Sequence, residues 1–235
     1  MGAKKFIIII FAIPLFGFTS YTPSHEIPIN ENKLYLQAVA EDEVAQFQLA
    51  NFYNMQPGIL RKPGLAKNWY RAAALNGHIE AQNSLGLMYL EFNNFIEAKV
   101  WFESAAMQQH AKALLNLAEM YETGKGMYIN KQKAHSLIYK AAELGDVEAM
   151  YKVSLNLTSG EVVKKDTYNG CVWIYRAENF LHSVFDSILE ENISKQKQKC
   201  HNLLSKVQIM NAYEAANFGL PRNDSGFKKL MSLTN

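Results

Sequence analysis

Six histidines, two cysteines and one adjacent pair of glutamates are the residues of this chain whose chemistry could reach beyond packing. The histidines stand at 25, 78, 110, 135, 182 and 201; no two are four apart and no H-E-x-x-H occurs, so no helix face offers paired imidazoles to a zinc ion. G-x-S-x-G, a P-loop and G-x-G-x-x-G are absent from the sequence as well. The segment "TGKGM" (123–127) holds two glycines and a lysine without the Walker spacing. Glu190 and Glu191 would point about 100° apart on a helix, which prevents them from acting on one substrate as acid and base. These residues predict no catalytic group, no cofactor and no metal site.

The elements that carry them follow from composition and patterning. The chain has 235 residues, 49% hydrophobic and 20% charged, enough to bury a sizeable core. Lys4 and Lys5 precede an apolar run from Phe6 to Phe18, followed by Thr19 and Ser20. That run is short for a hydrocarbon core of about 30 Å and reads as a signal peptide over residues 1–22, cleaved between Gly17 and Thr22, with a retained anchor as the alternative. The exported chain is expected in the periplasm or secreted. No acidic residue precedes Glu26, so loss of Lys4 and Lys5 leaves basic and acidic residues balanced. A balanced chain has no electrostatic footprint for nucleic acid, and Lys195–Lys199 reads as a solvated helix face beside Glu190 and Glu191.

Two sequence columns repeat. "NWYRAAA" (68–74), "VWFESAA" (100–106), "SLIYKAA" (136–142) and "VWIYRAE" (172–178) place Trp69, Trp101, Leu137 and Trp173 at steps of 32, 36 and 36. Ala45, Ala81, Ala113 and Ala149 open the second column at steps of 36, 32 and 36. Each unit has two amphipathic helices: Ala66, Trp69, Tyr70 and Ala73 show the i, i+3, i+4, i+7 spacing of one face, as do Ala81, Leu85 and Met88. Gly86, with Ala50, Ala118 and Ser154 in its column, suits a close helix crossing. Asp42, His78, His110 and Asp146 precede the column alanines by three residues and read as N-caps, with Gly77 and Gly145 ending the preceding helices.

"LGLMY", "WYRAAALNG" and "YETGKGMYINKQKA" resemble the Sel1-like repeat, a tetratricopeptide-like helical hairpin of roughly 36 residues. The resemblance spans about residues 34–178 and implies an all-α, α/α superhelical solenoid of about four hairpins over 32–178. Ser154, Leu157 and Gly170 depart from the pattern in the last unit, and the loop between Tyr89 and Ala98 is four residues short. Residues 32–40 read as a leftover second helix closing the N-terminal end. Residues 179–220, with apolar stripes such as Phe180, Val184, Ile188 and Leu203, Val207, Met210, read as capping helices, and 221–235 as a flexible tail.

An exported chain with two cysteines usually pairs them. If 168–190 and 195–217 form one antiparallel hairpin, however, Cys200 lies roughly 15–20 Å along the axis from the level of Cys171, beyond the reach of a disulfide. No bond is expected unless the helix breaks near Asn179. Sequons at Asn156, Asn192 and Asn223 matter only in a eukaryotic secretory route.

First helices of stacked hairpins line the concave face, where such solenoids bind partners. Columns that vary between the four copies are free of packing duty: Phe47, Asn83, Leu115 and Tyr151, and one turn on, Asn51, Leu87, Glu119 and Leu155. These eight are the candidate partner-binding strip. Phe47 and Tyr151 would be either exposed aromatics of hot-spot type or side chains buried by neighbouring hairpins. The resemblance implies protein-binding roles: scaffold or adaptor for envelope assembly, such as polysaccharide or flagellar machinery, or, as in small periplasmic members, an immunity protein neutralising an antibacterial phospholipase toxin. A hydrolase role, linked to cysteine-rich Sel1-like proteins, fits poorly, since those carry a cysteine pair in each repeat.

Overall fold

The computed structural model describes residues 29–181 and 186–217, which form an all-helical solenoid. The segments read as signal peptide and flexible tail lie outside the described residues, as do Val184 and residues 218–220 of the cap. Four hairpins stack in chain order: α2 (Glu43–Asn54) with α3 (Pro63–Leu75), α4 (Ile79–Glu91) with α5 (Phe95–Met107), α6 (Ala111–Thr123) with α7 (Lys131–Glu143), and α8 (Val147–Ser159) with α9 (Thr167–Phe180). Before them α1 (Ile29–Val39) packs on α2; after them α10 (Ser187–Leu203) and α11 (Lys206–Ala216) both pack on α9.

The helix starts are those the repeat pattern predicts. Asp42 Oδ1 accepts from the backbone N–H of Val44 and Ala45, and Asp146 Oδ1 from Ala149 at 2.9 Å. His78 and His110 do the same through Nδ1, at 3.3 Å from Ala81 N and 3.1 Å from Ala113 N. Each cap satisfies one otherwise orphaned donor of its helix. Gly77 and Gly145 take left-handed φ of 94° and 93° just before the caps, and Glu41 and Gln109 adopt it in the other two copies.

Alanine columns let the helices approach. Ala45, Ala81, Ala113 and Ala149 are buried, and so are Ala73, Ala105, Ala141 and Ala177 on the second helices. Gly86 goes further: a Cβ there would stand 2.6 Å from Cε1 of Phe102, so the fully buried Phe102 ring fills the space a methyl would take. Gly126, in "TGKGM", lies against the start of α5, where a Cβ would come within 2.6 Å of Phe95 Cβ. Gly86 thus seats a ring and Gly126 brings its loop against the backbone of α5, so each glycine has a packing role.

The departures in the last hairpin have a structural cause. Gly170 leaves room for Thr158, and Gln196 of α10 donates from Nε2 to Thr158 Oγ1 at 2.9 Å and Ser154 Oγ at 3.3 Å in a buried cluster. A polar group buried there must be paired, so Ser154 and Thr158 form a seat for the cap.

Cys171 and Cys200 are bonded, with Cα atoms 5.7 Å apart, which corrects the expectation of free thiols. The assumed single hairpin places its turn too late. Helix α9 ends at Phe180, beside Asn179, and α10 begins at Ser187, so α10 returns along α9 early enough to bring Cys200 alongside Cys171. The remaining cap residues form α11, a separate helix started by a Ser205–Gln208 capping box.

Candidate interaction surfaces

The first helices α2, α4, α6 and α8 bury their alanine columns against the second helices, and their remaining faces meet each other or solvent. Side chains bridge directly between them. Asn116 Nδ2 on α6 donates to Asn83 Oδ1 on α4 at 2.8 Å. Phe47 on α2 stacks on His78 at the start of α4, ring centroids 4.4 Å apart, and tilts against Tyr70 at 5.9 Å.

The candidate strip therefore divides. Asn83 and Leu115 are 9% and 5% exposed, which removes them from any accessible face. Phe47 and Tyr151, in the same column, are half-buried by the neighbouring hairpins. The physical reason is rotation: this column points at the junction between successive first helices, where side-chain variation is tolerated because the neighbouring column compensates, as Asn116 does for Asn83.

The second column lies further out. Leu87 is 45% exposed, Glu119 is exposed and Leu155 half-buried, while Asn51 is half-buried with its Oδ1 accepting from Tyr70 Oη at 2.6 Å. Beside it runs a column the sequence argument passed over: Gln48, Ser84, Asn116 and Lys152, polar in every copy and exposed or half-buried. Uniform polarity at one repeat position was the available signal.

The face carries alternating charge. Lys112 Nζ lies 3.1 Å from Asp146 Oδ2 and 3.6 Å from Glu148 Oε2, and Lys152 Nζ lies 3.1 Å from Glu148 Oε1. Burial alone would lower the Lys112 ammonium, but the two carboxylates outweigh it and hold the group above its ordinary range. Glu119 pairs with Lys125 at 3.2 Å. At the loop end Arg61 forks onto both oxygens of Glu91 at 2.7 Å and bonds Asn54 Oδ1, fixing the first hairpin to the second.

Among the described residues, no group of three His, Cys, Asp or Glu converges as a metal set, and no helix is long and apolar enough to cross a membrane. His135 Nδ1 meets Asn156 Nδ2 at 3.1 Å. His201 sits beside Tyr175, centroids 6.1 Å apart, with burial lowering the imidazole and raising the phenol. His25 and His182 lie outside the described residues. Glu191 of the glutamate pair is held by Lys195 at 2.6 Å.

Comparison with known proteins agrees with this architecture. A family model described as Sel1 repeat matches residues 44–78, 79–110 and 111–146. No curated protein matches significantly. Among solved structures, a protective antigen present in uropathogenic Escherichia coli strains, displaying an SLR fold, is similar with TM-score 0.69 at 22% identity, over 80% of this chain and 39% of that one. A Sel1 repeat protein from Oxalobacter formigenes is similar with TM-score 0.61 at 22% identity, over 81% of this chain and 83% of that one. This chain thus spans well under half of the first protein's length and most of the second's. Residues 44–146 are three Sel1 repeats, and the described residues fold as an α/α solenoid like those two structures.

Proposed function

We propose that this chain is an exported, non-catalytic solenoid of the cell envelope that binds another protein along its first-helix face, as an immunity protein neutralising an antibacterial phospholipase toxin. The observation that carries the binding reading is the outer part of that face. Leu87 is apolar and 45% exposed on α4, and the exposed Glu119 holds the equivalent place on the next first helix, α6. An exposed apolar anchor within a charged surround is the composition of a protein-binding patch. Export is supported by the buried Cys171–Cys200 bond, since such bonds persist in oxidising compartments, and by the signal-like N-terminal sequence. The similar antigen of uropathogenic strains, named as protective, fits a location outside the cytoplasm. The toxin as partner rests on the resemblance to small periplasmic Sel1-like proteins.

The test is a photo-crosslinking amino acid placed at position 87 or 119 in cells challenged by a rival strain. A delivered phospholipase crosslinked at both positions, whose lipid hydrolysis stops when the purified protein is added, is the expected result. Crosslinking to a resident polysaccharide or flagellar component would replace the immunity reading with an adaptor one.

A further inference from the structure

The second helices meet one another through a repeated pair of positions. Trp69 of α3 stands edge-on against Tyr35 of α1, centroids 5.9 Å apart, and Trp173 of α9 stands so against Tyr139 of α7 at 5.3 Å. Between α3 and α5 the same two places hold Arg71 and Trp101; between α5 and α7 they hold Glu103 and Leu137. The α5–α7 junction is thus the one of the four with no aromatic ring in either place.

The space stays open. A groove of about 760 Å³ runs between α5 and α7 over α6, with Leu114, Leu117 and Leu137 among its lining. Its floor is apolar for a further reason. In the position of Leu114 the two preceding copies have Gln46 and Gln82, whose amides bond Ala38 O and Ala74 O; here the polar group is gone. Met107, 79% exposed and flexible, edges the groove. Lys140 also lines it, three residues after Leu137, as Arg176 follows Trp173; the Arg176 guanidinium lies 4.9 Å over that indole.

We propose that this groove receives a tryptophan side chain from a partner protein, in the place where α3, α5 and α9 use their own. The indole would bury its ring on Leu114, Leu117 and Leu137 and lie beneath the Lys140 ammonium, a cation–π contact like that of Arg176 on Trp173. The groove opens between two second helices with its floor on α6, and neither Leu87 nor Glu119 lines it, so this proposal and the first-helix binding face can fail independently.

The experiment is a methyl NMR titration of the full chain, labelled at Leu and Met, with N-acetyl-tryptophanamide and, separately, N-acetyl-leucinamide. Expected are saturable shifts confined to Leu114, Leu117, Leu137, Leu144 and Met107, with a Kd on the order of 1 mM for the tryptophan amide and about five-fold weaker for the leucine amide. Leu137→Trp fills the groove from within and abolishes the shifts; Ala106→Phe fills it from the α5 wall and does the same if the first variant fails to fold. Lys140→Glu weakens binding several-fold. No saturable shift, shifts that survive in a folded filled variant, or equal affinity for the two amides would overturn the proposal.

Discussion

Cys171 near the start of α9 and Cys200 in the last turn of α10 are joined by a disulfide that solvent does not reach. The bond fastens the cap to the last hairpin across a sequence separation of 29 residues. Closing a loop of that size removes denatured-state entropy worth about 3–4 kcal/mol on the chain-entropy account. The double variant Cys171→Ala/Cys200→Ala is therefore expected to lose about that much in denaturant unfolding, and non-reducing peptide mapping of the native protein should give a single linked pair. Two free thiols in protein purified without reductant would contradict the packing of α10 on α9.

Gly86 and Phe102 are fitted to each other. Gly86→Ala gains helix propensity of roughly 1 kcal/mol but drives a methyl into a buried ring that has no room to move, an overpacking cost of about 1–3 kcal/mol. The net expectation is a loss of up to about 2 kcal/mol. Phe102→Ile, the residue found at 138 and 174, should relieve it, so the two changes together cost less than their sum. Additive effects in a double-mutant cycle would mean that the two residues do not touch.

His110 sets a pH dependence. Burial lowers its imidazole, outweighing the opposing charges of Glu80 and Asp146, with Lys112 adding to the lowering; burial lowers His135 as well. The folded chain favours the neutral ring, whose Nδ1 must stay unprotonated to accept from Ala113 N. The unfolded chain then binds more protons below its ordinary value of about 6.5, so stability is complete above that pH and falls as pH drops through the depressed folded values. Melting is expected at lower temperature at pH 5.5 than at pH 7.5. His110→Asn keeps an uncharged cap and should recover about 1 kcal/mol at the acid end, or about 2–4 °C; an unchanged pH profile in that variant would place the effect elsewhere.

The repeat and its caps were legible because they recur: four copies of one pattern fix which positions pack, and Asp42, His78, His110 and Asp146 announce four helix starts in register. The disulfide was not legible, since it depends on where α9 stops, and the sequence after Phe180 has no repeat to compare with. The candidate strip was half legible. Variation marked columns that lack a core duty, yet Asn83 and Leu115 vary because the facing helix varies with them, and that compensation appears only when Asn116 is seen bonded to Asn83. Uniform polarity, as at Gln48, Ser84, Asn116 and Lys152, was the better guide to the outer face.

Calorimetric titration of the partner identified by crosslinking, against the native chain and a Leu87→Glu/Glu119→Lys variant shown to keep its helical signal and melting temperature, tests the central claim most directly. Loss of the exposed apolar anchor and reversal of the adjacent charge predict a Kd at least about 100-fold weaker. An unchanged Kd in the folded variant would show that the first-helix face is not where this solenoid binds.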